Sequence, residues 1–111
     1  MTPPVRGQVV MVDVPEAGGE KAFLVVSNNT RNRNLDSVIC ARVSTSPDRP
    51  ADLPSIVPIE DRGAVVGNVI CDDLLTVRRN RLKRSVGALP PRVMAEVGKG
   101  LRSALDCEVR S

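Results

Sequence analysis

The hydrophobic and polar positions of the chain divide into short runs with strand character followed by one run with a helical period. Gln8 to Val14 carries Val9, Val10, Met11, Val12 and Val14 with only Asp13 interrupting, the composition of a β-strand. Pro15 to Glu20 contains a proline and the pair Gly18-Gly19, so the spacing predicts a loop. Ala22 to Ser27 is a continuous apolar run of strand length, suited to burial on both faces. Asn28 to Asn34 holds four asparagines and two arginines and is expected to be a loop. Ser37 to Ser44 is another strand, and Thr45 to Pro54, with three prolines, a second loop. Ser55–Ile59 and Val65–Ile70 are expected to form a hairpin around Asp61-Arg62-Gly63, a short turn or helix to span Thr76–Leu82, and a last strand to run from Lys83 to Leu89.

After Pro90-Pro91 the period changes. Val93, Val97, Leu101 and Leu105 recur every fourth residue, with Met94 and Ala104 beside them, which makes one apolar stripe along a helix. Pro91 suits the first turn of that helix. Gly98 and Gly100 each weaken it by about 1 kcal/mol relative to alanine, so it must dock on something to persist. Short strands followed by one terminal helix predict a mainly β chain with some α: a small, strongly bent antiparallel sheet or barrel capped by a helix. No internal repeat or second unit is visible, so residues 1–111 are expected to form a single domain.

Composition narrows what this fold can do. A chain of 111 residues holds one modest core, and 41% hydrophobic with 26% charged residues is ordinary globular usage, against disorder or membrane insertion. The longest apolar runs, such as Phe23-Leu24-Val25-Val26, are too short to span a bilayer, and Met1 to Arg6 lacks the apolar core of a signal peptide. A cytosolic protein is the expectation. Cys40, Cys71 and Cys107 are far apart and odd in number, with no Cys-x-x-Cys, so they are expected to be small buried hydrophobes. A net charge of +3 mildly favours an anionic partner. Two absences say more. The chain has no histidine and a single aromatic residue, Phe23. That excludes a Ser-His-Asp triad, a His–His acid–base pair, a His-bearing zinc site and an aromatic stacking platform. Chemistry falls to Lys, Arg, Asp, Glu, Ser and Thr.

Taken in order, several stretches resemble the MazF/PemK family of toxin ribonucleases. Arg6-Gly7-Gln8-Val9 is similar to the family's Arg-Gly-acidic/Gln-hydrophobic opening of the first strand. Lys21-Ala22-Phe23-Leu24-Val25-Val26-Ser27, after a Gly-rich loop, resembles Arg-Pro-x followed by three hydrophobic residues and Ser. Val38 to Ser46 looks like the strand ending in a Thr-Thr or Thr-Ser pair, and Gly67 to Val77 like the stretch with a central Asp. Arg81-Leu82 with Val86-Gly87-Ala88-Leu89 is similar to the signature before the terminal helix. Each piece alone is weak, but their order and spacing from Arg6 to about Leu105 make a specific match. The resemblance implies a small SH3-like antiparallel β-barrel with a C-terminal helix (CcdB/MazF-like), working as a homodimer. It also implies a sequence-specific toxin that cuts single-stranded RNA without a metal or other cofactor and is neutralised by a cognate antitoxin.

Such chemistry fits the residues available. RNA supplies its own nucleophile in the 2′-OH beside the scissile phosphate, so an enzyme has to orient it, manage protons and stabilise charge. The products implied are a 2′,3′-cyclic phosphate and a 5′-hydroxyl. Lys21 stands where the family has its catalytic arginine, as a phosphate clamp or general acid in place of a bidentate fork; the plain alternative is a solvated lysine. Ser44 stands where the family has its catalytic threonine, and keeps the hydroxyl; its plain alternative is to satisfy backbone at a strand end. Thr45 or Ser46 would take that role if the register slips by one. Glu20 is either a base beside Lys21 or a surface charge. Asn28, Asn29, Arg31 and Arg33 offer amides and guanidinium groups for phosphates and unstacked base edges. Arg78 and Arg79 begin the densest basic run, continued by Arg81, Lys83 and Arg84, which is either an RNA footprint or a solvated face. Asp72 and Asp73, adjacent on a strand, would face opposite ways and cannot easily chelate one ion, so a role in turning the chain is expected.

Two other functions compete. A CcdB-like gyrase poison shares the implied fold but depends on a tail with an exposed Trp-Gly-Ile, and this chain has no tryptophan. A catalytically weak homologue that binds RNA or antitoxin is left open by the Lys21 and Ser44 departures.

Overall fold

The structure, a computed structural model, describes residues 2–46, 50, 52–59 and 65–106. Strands β1 (Gln8–Val14), β2 (Gly19–Val25), β3 (Ser37–Ser44), β4 (Ile56–Ile59), β5 (Gly67–Arg78) and β6 (Leu82–Ala88) build one sheet in the order β4-β5-β3-β2-β1-β6, and every pairing is antiparallel. Helices α1 (Asn29–Asn34) and α2 (Pro91–Leu105) complete it.

The connection between β5 and β6 shows how far the sheet bends. These strands lie four spacings apart in the sheet order, roughly 19 Å in a flat sheet. They are joined only by the 3-10 turn Arg79–Arg81, and a path of that length advances about 8 Å. The sheet therefore curls until the end of β5 meets the start of β6. At the far end of β6, Gly87 faces Val65, where a Cβ would lie 3.4 Å from the valine side chain. The antiparallel sheet and terminal helix expected from the pattern are present, while the hydrogen-bonded ladder of the described residues stays open, with β4 and β6 at its edges.

Curling gives each face its own core. Val9, Leu24, Ala41, Val69 and Cys71 pack on one side with Val93, Met94 and Val97 of α2. Val10, Val12, Phe23, Val25, Val38, Cys40, Val77 and Leu82 pack on the other. Burial on both faces is why β1 and the second half of β2 are apolar at consecutive positions. Cys40 and Cys71 are free and buried as expected, while Cys107 lies outside the described residues. Burial pushes the Cys40 thiol up to about 12; burial, then the nearby charge of Asp72, pushes Cys71 up to about 11. Both stay protonated near neutral pH and offer no thiolate nucleophile.

Three expectations are corrected. The segment Asn28 to Asn34 is not a loop: Asn28 caps α1 by accepting a hydrogen bond from the Arg31 N–H at 2.8 Å. Asn32 is fully buried, its Oδ1 accepting from Ser27 Oγ at 2.5 Å and its Nδ2 donating to the Ser27 carbonyl at 2.9 Å, while Ser27 Oγ accepts from the Ile39 N–H at 2.9 Å. Asparagine has low helix propensity, so tertiary hydrogen bonds rather than local preference hold this helix. Second, β5 runs twelve residues to Arg78, so Asp72 and Asp73 sit within a strand and do not turn the chain. The register against β3 jumps between Ala41↔Leu74 and Arg42↔Ile70, and residues 71–73 form the bulge that accommodates the two acids. Third, β2 starts at Gly19, and the 3-10 turn Pro15–Ala17 closes a tight hairpin in which Val14 opposes Gly19. Ile59 opposes Gly67 as the predicted hairpin of β4 and β5 requires, while its turn Asp61-Arg62-Gly63 lies outside the described residues.

The two glycines of α2 have opposite roles. Nothing lies within 4 Å of a Cβ built on Gly98, whereas one on Gly100 would meet Cys71 Sγ at 2.8 Å, Val57 Cγ2 at 3.2 Å and the Pro54 carbonyl at 3.3 Å. Gly98→Ala should raise stability by about 1 kcal/mol through helix propensity. Gly100→Ala should lower it by roughly 1–3 kcal/mol because overpacking outweighs the same propensity gain. Urea midpoints of the two variants check this; a more stable Gly100→Ala would contradict the close approach of α2 to β4 and β5.

Candidate functional site

A fork in the sheet opens a groove lined by charged and hydroxyl side chains. β2 pairs with β3 only at Phe23↔Arg42, Leu24↔Ala41 and Val25↔Cys40. The first half of β2 stays with β1 as far as Val14↔Gly19, while the end of β3 follows β5 as far as Ser44↔Asn68. The two strands therefore part beyond Phe23 and Arg42, and a groove of about 800 Å³ opens between them. Its flank on β2 includes Lys21; its flank on β3 includes Arg42, Ser44 and Thr45; Asp73 of the β5 bulge also lines it. The apolar side chains of Val9, Met11, Val43 and Val86 form much of the remaining wall.

The Lys21 side chain is exposed, and no side-chain hydrogen bond or ion pair joins it to another described residue. Across the fork, Ser44 Oγ accepts a hydrogen bond from the Ser46 N–H at 3.2 Å, so its hydroxyl proton can be donated into the groove. The Ser44 main chain is held tightly: a Cβ on Gly67 would lie 2.8 Å from its carbonyl oxygen. Thr45 follows, exposed, in the same groove, and Ser46 is exposed beside it. Arg42 Nε lies 2.5 Å from Asp73 Oδ2, both side chains partly exposed. Sequence reasoning missed this pair, although Arg42 is the only charge in the strand Ser37–Ser44.

The remaining sequence-selected residues lie elsewhere. Alternation along β2 turns Glu20 to the face opposite Lys21, where Arg84 Nη1 donates to both its carboxylate oxygens at 3.0 Å across β1. Asn28, Asn29, Arg31, Arg33, Arg78 and Arg79 gather at the other end of β3, where Ser37 opposes Arg78. Ser44 is seven residues further along, a separation of roughly 23 Å. Most of this cluster is structural. Asn29 Oδ1 accepts from the Arg6 N–H at 2.7 Å, Arg31 Nη1 donates to the Ser37 carbonyl at 2.8 Å, and Arg79 Nη2 donates to the Asn32 carbonyl at 2.6 Å. Arg33 and Arg78 remain exposed and give that end a positive surface. Among the described residues no helix is long and apolar enough to cross a membrane.

A curled antiparallel sheet packed against a terminal helix is the fold of a known class of toxins. The chain belongs to the PemK-like, MazF-like toxin family of type II toxin–antitoxin systems, which it matches over residues 5–105. Among its relatives, the endoribonuclease MazF4 of Mycobacterium tuberculosis is 31% identical over 105 residues, covering 95% of each chain. The fold is similar to an endoribonuclease solved in complex with its cognate antitoxin from a mycobacterial species, at 30% identity and a TM-score of 0.84, over 96% of this chain and 99% of that one. It is also similar to MazF of Deinococcus radiodurans, at 25% identity and a TM-score of 0.79, over 96% and 99% of the two chains.

Proposed function

We propose that this protein is a toxin endoribonuclease that cuts single-stranded RNA at specific sequences without a metal, acts as a homodimer in the bacterial cytoplasm, and is silenced by a cognate antitoxin. The observation that carries the reading is the fork itself, with Lys21 on one flank and Ser44 and Thr45 on the other. The kinship with endoribonucleases along nearly the whole chain supports cleavage over a gyrase-poisoning or purely binding role. The curl of the sheet is taken as a small SH3-like barrel within a single domain.

In the proposed reaction the scissile phosphate lies between the flanks. The Lys21 ammonium faces the phosphoryl oxygens and offsets the charge that builds on them. The Ser44 hydroxyl, with Thr45 beside it, donates a hydrogen bond that fixes the phosphate so that the neighbouring 2′-OH is in line with the 5′-oxygen. The 2′-oxygen loses its proton and bonds to phosphorus, the bond from phosphorus to the 5′-oxygen breaks, and that oxygen gains a proton. A 2′,3′-cyclic phosphate and a 5′-hydroxyl result, with no redox change and no water consumed. Ser46 borders this site; Arg33 and Arg78 supply charge for the strand beyond it, with Asn28, Asn29, Arg31 and Arg79 holding that end in shape. The antitoxin is expected to be an acidic, partly disordered segment that folds on the basic surface. Incubating the purified protein with a long RNA in excess EDTA tests the reading: discrete fragments are expected, and intact RNA at high enzyme concentration overturns it.

A further inference from the structure

Resting on that reading of the groove, we infer that Arg42 is a second phosphate-binding cation for the RNA strand and that Asp73 is the residue that positions it. The bulge of β5 is the first observation. A regular ladder would put Asp73 opposite Arg42 in place of Ile70; instead Cys71, Asp72 and Asp73 are extra residues between the partners of Arg42 and Ala41. Bulges interrupt ladder hydrogen bonds and recur where a side chain has to be re-aimed. Here the result is a carboxylate against Arg42 Nε at 2.5 Å.

The location is the second observation. Arg42 lies opposite Phe23 at the last rung before β2 and β3 part, so its guanidinium stands at the apex of the fork. Lys21 is two residues beyond Phe23 on one strand and Ser44 two beyond Arg42 on the other, and alternation keeps all four on one face. A strand of RNA lying between Lys21 and Ser44 continues past this apex, where Arg42 lines the groove with its positive charge. A partly exposed ion pair adds little to stability. A guanidinium confined by a carboxylate, however, loses less rotamer freedom when it takes a phosphate than an unconfined one does.

Charge gives the test its sign. If Asp73 merely adds negative charge near RNA, removing that charge strengthens binding; if it positions Arg42, removing it weakens binding although the groove becomes more positive. Kinetics of wild type, Arg42→Ala, Arg42→Lys and Asp73→Asn on a short RNA, with affinity for a non-cleavable 2′-O-methyl analogue measured across a salt series, separate these. Arg42→Ala is expected to raise KM about tenfold, the loss of one charge-assisted hydrogen bond. The slope of log affinity against log salt should shrink by about 0.7, as for one phosphate contact on a single strand. Arg42→Lys should recover the salt slope and only part of KM. Asp73→Asn should raise KM with the salt slope kept, and unchanged denaturant midpoints would exclude a folding effect. An unaltered slope in Arg42→Ala, or tighter binding in Asp73→Asn, overturns the inference while cleavage by the wild type still stands. Absence of cleavage by the wild type overturns the function on which it rests.

Discussion

Replacing Lys21 with alanine is expected to lower kcat/KM for RNA cleavage by roughly 10²–10³, the usual consequence of removing one charge-stabilising group from a phosphoryl or acyl transfer site. The fold should not notice. The Lys21 side chain is exposed and tied by no hydrogen bond or ion pair to a described residue, so the denaturant midpoint should move by no more than about 0.5 kcal/mol equivalent. Lys21→Arg separates two roles for the same charge. A clamp on phosphoryl oxygens is served by a guanidinium, so the arginine variant should keep activity within about tenfold. A group that must hand over its own proton is not served by one, because arginine does not release a proton in proteins. Steady-state cleavage of a short oligonucleotide, measured beside urea unfolding for each variant, gives both numbers. Undiminished cleavage by Lys21→Ala would remove the residue from the reaction.

The second large effect is expected at a glycine that touches no substrate. Gly67 has φ +130°, a region that side-chain-bearing residues rarely adopt. A Cβ there would lie 2.8 Å from the Ser44 carbonyl oxygen, 3.1 Å from its carbonyl carbon and 3.3 Å from the Thr45 nitrogen. All three atoms are main chain and cannot swing aside as a side chain does. Gly67→Ala should therefore destabilise the protein by about 3 kcal/mol, from strained backbone and overpacking together. That is a large share of the 5–15 kcal/mol typical of a small domain. The same displacement strikes the groove, since the atoms that must move carry Ser44 and Thr45. A shift near 1 Å at a catalytic group can cost about 10² in rate, so cleavage should fall at least tenfold at temperatures where the variant remains folded. Cleavage measured well below the variant's melting point, alongside its thermal unfolding, checks both halves; normal stability would contradict the packing, and normal rate in a destabilised protein would contradict the link to the site.

Much of the fold was legible from periodicity. The strands β1, β3 and β4 and the stripe of α2 carry burial strong enough to print a pattern on the chain, whereas β6 buries only Leu82. Legibility failed where tertiary contacts overrode local preference. In α1 the deciding residue is Asn32, whose buried hydrogen bonds to Ser27 cannot be seen in a string of polar residues. In β5 two adjacent acids broke the alternation, because a bulge lets Asp73 turn to Arg42 without costing the strand. The candidate site divides the same way. Lys21, Ser44 and Thr45 follow from the resemblance to the family's motifs, and the fork brings them to one groove because β2 and β3 are antiparallel with Phe23 opposite Arg42. Glu20 was chosen as the neighbour of Lys21, yet adjacency along a strand means opposite faces, and its carboxylate meets Arg84. Asn29 and Arg31 of α1 looked like free binding groups only because a string of polar residues does not reveal their partners, Arg6 and Ser37, and Arg79 did so because the Asn32 carbonyl that it meets is remote in sequence.

The most direct measurement uses an RNA oligonucleotide containing one cleavable linkage and a twin in which the ribose 5′ to that linkage is 2′-deoxy, both incubated with the protein in EDTA. If the groove works by letting the ribose attack its own backbone, the RNA is cut to a 2′,3′-cyclic phosphate and a 5′-hydroxyl while the twin stays whole. Scission of the deoxy twin at a comparable rate, or fragments ending in a 5′-phosphate, would contradict it.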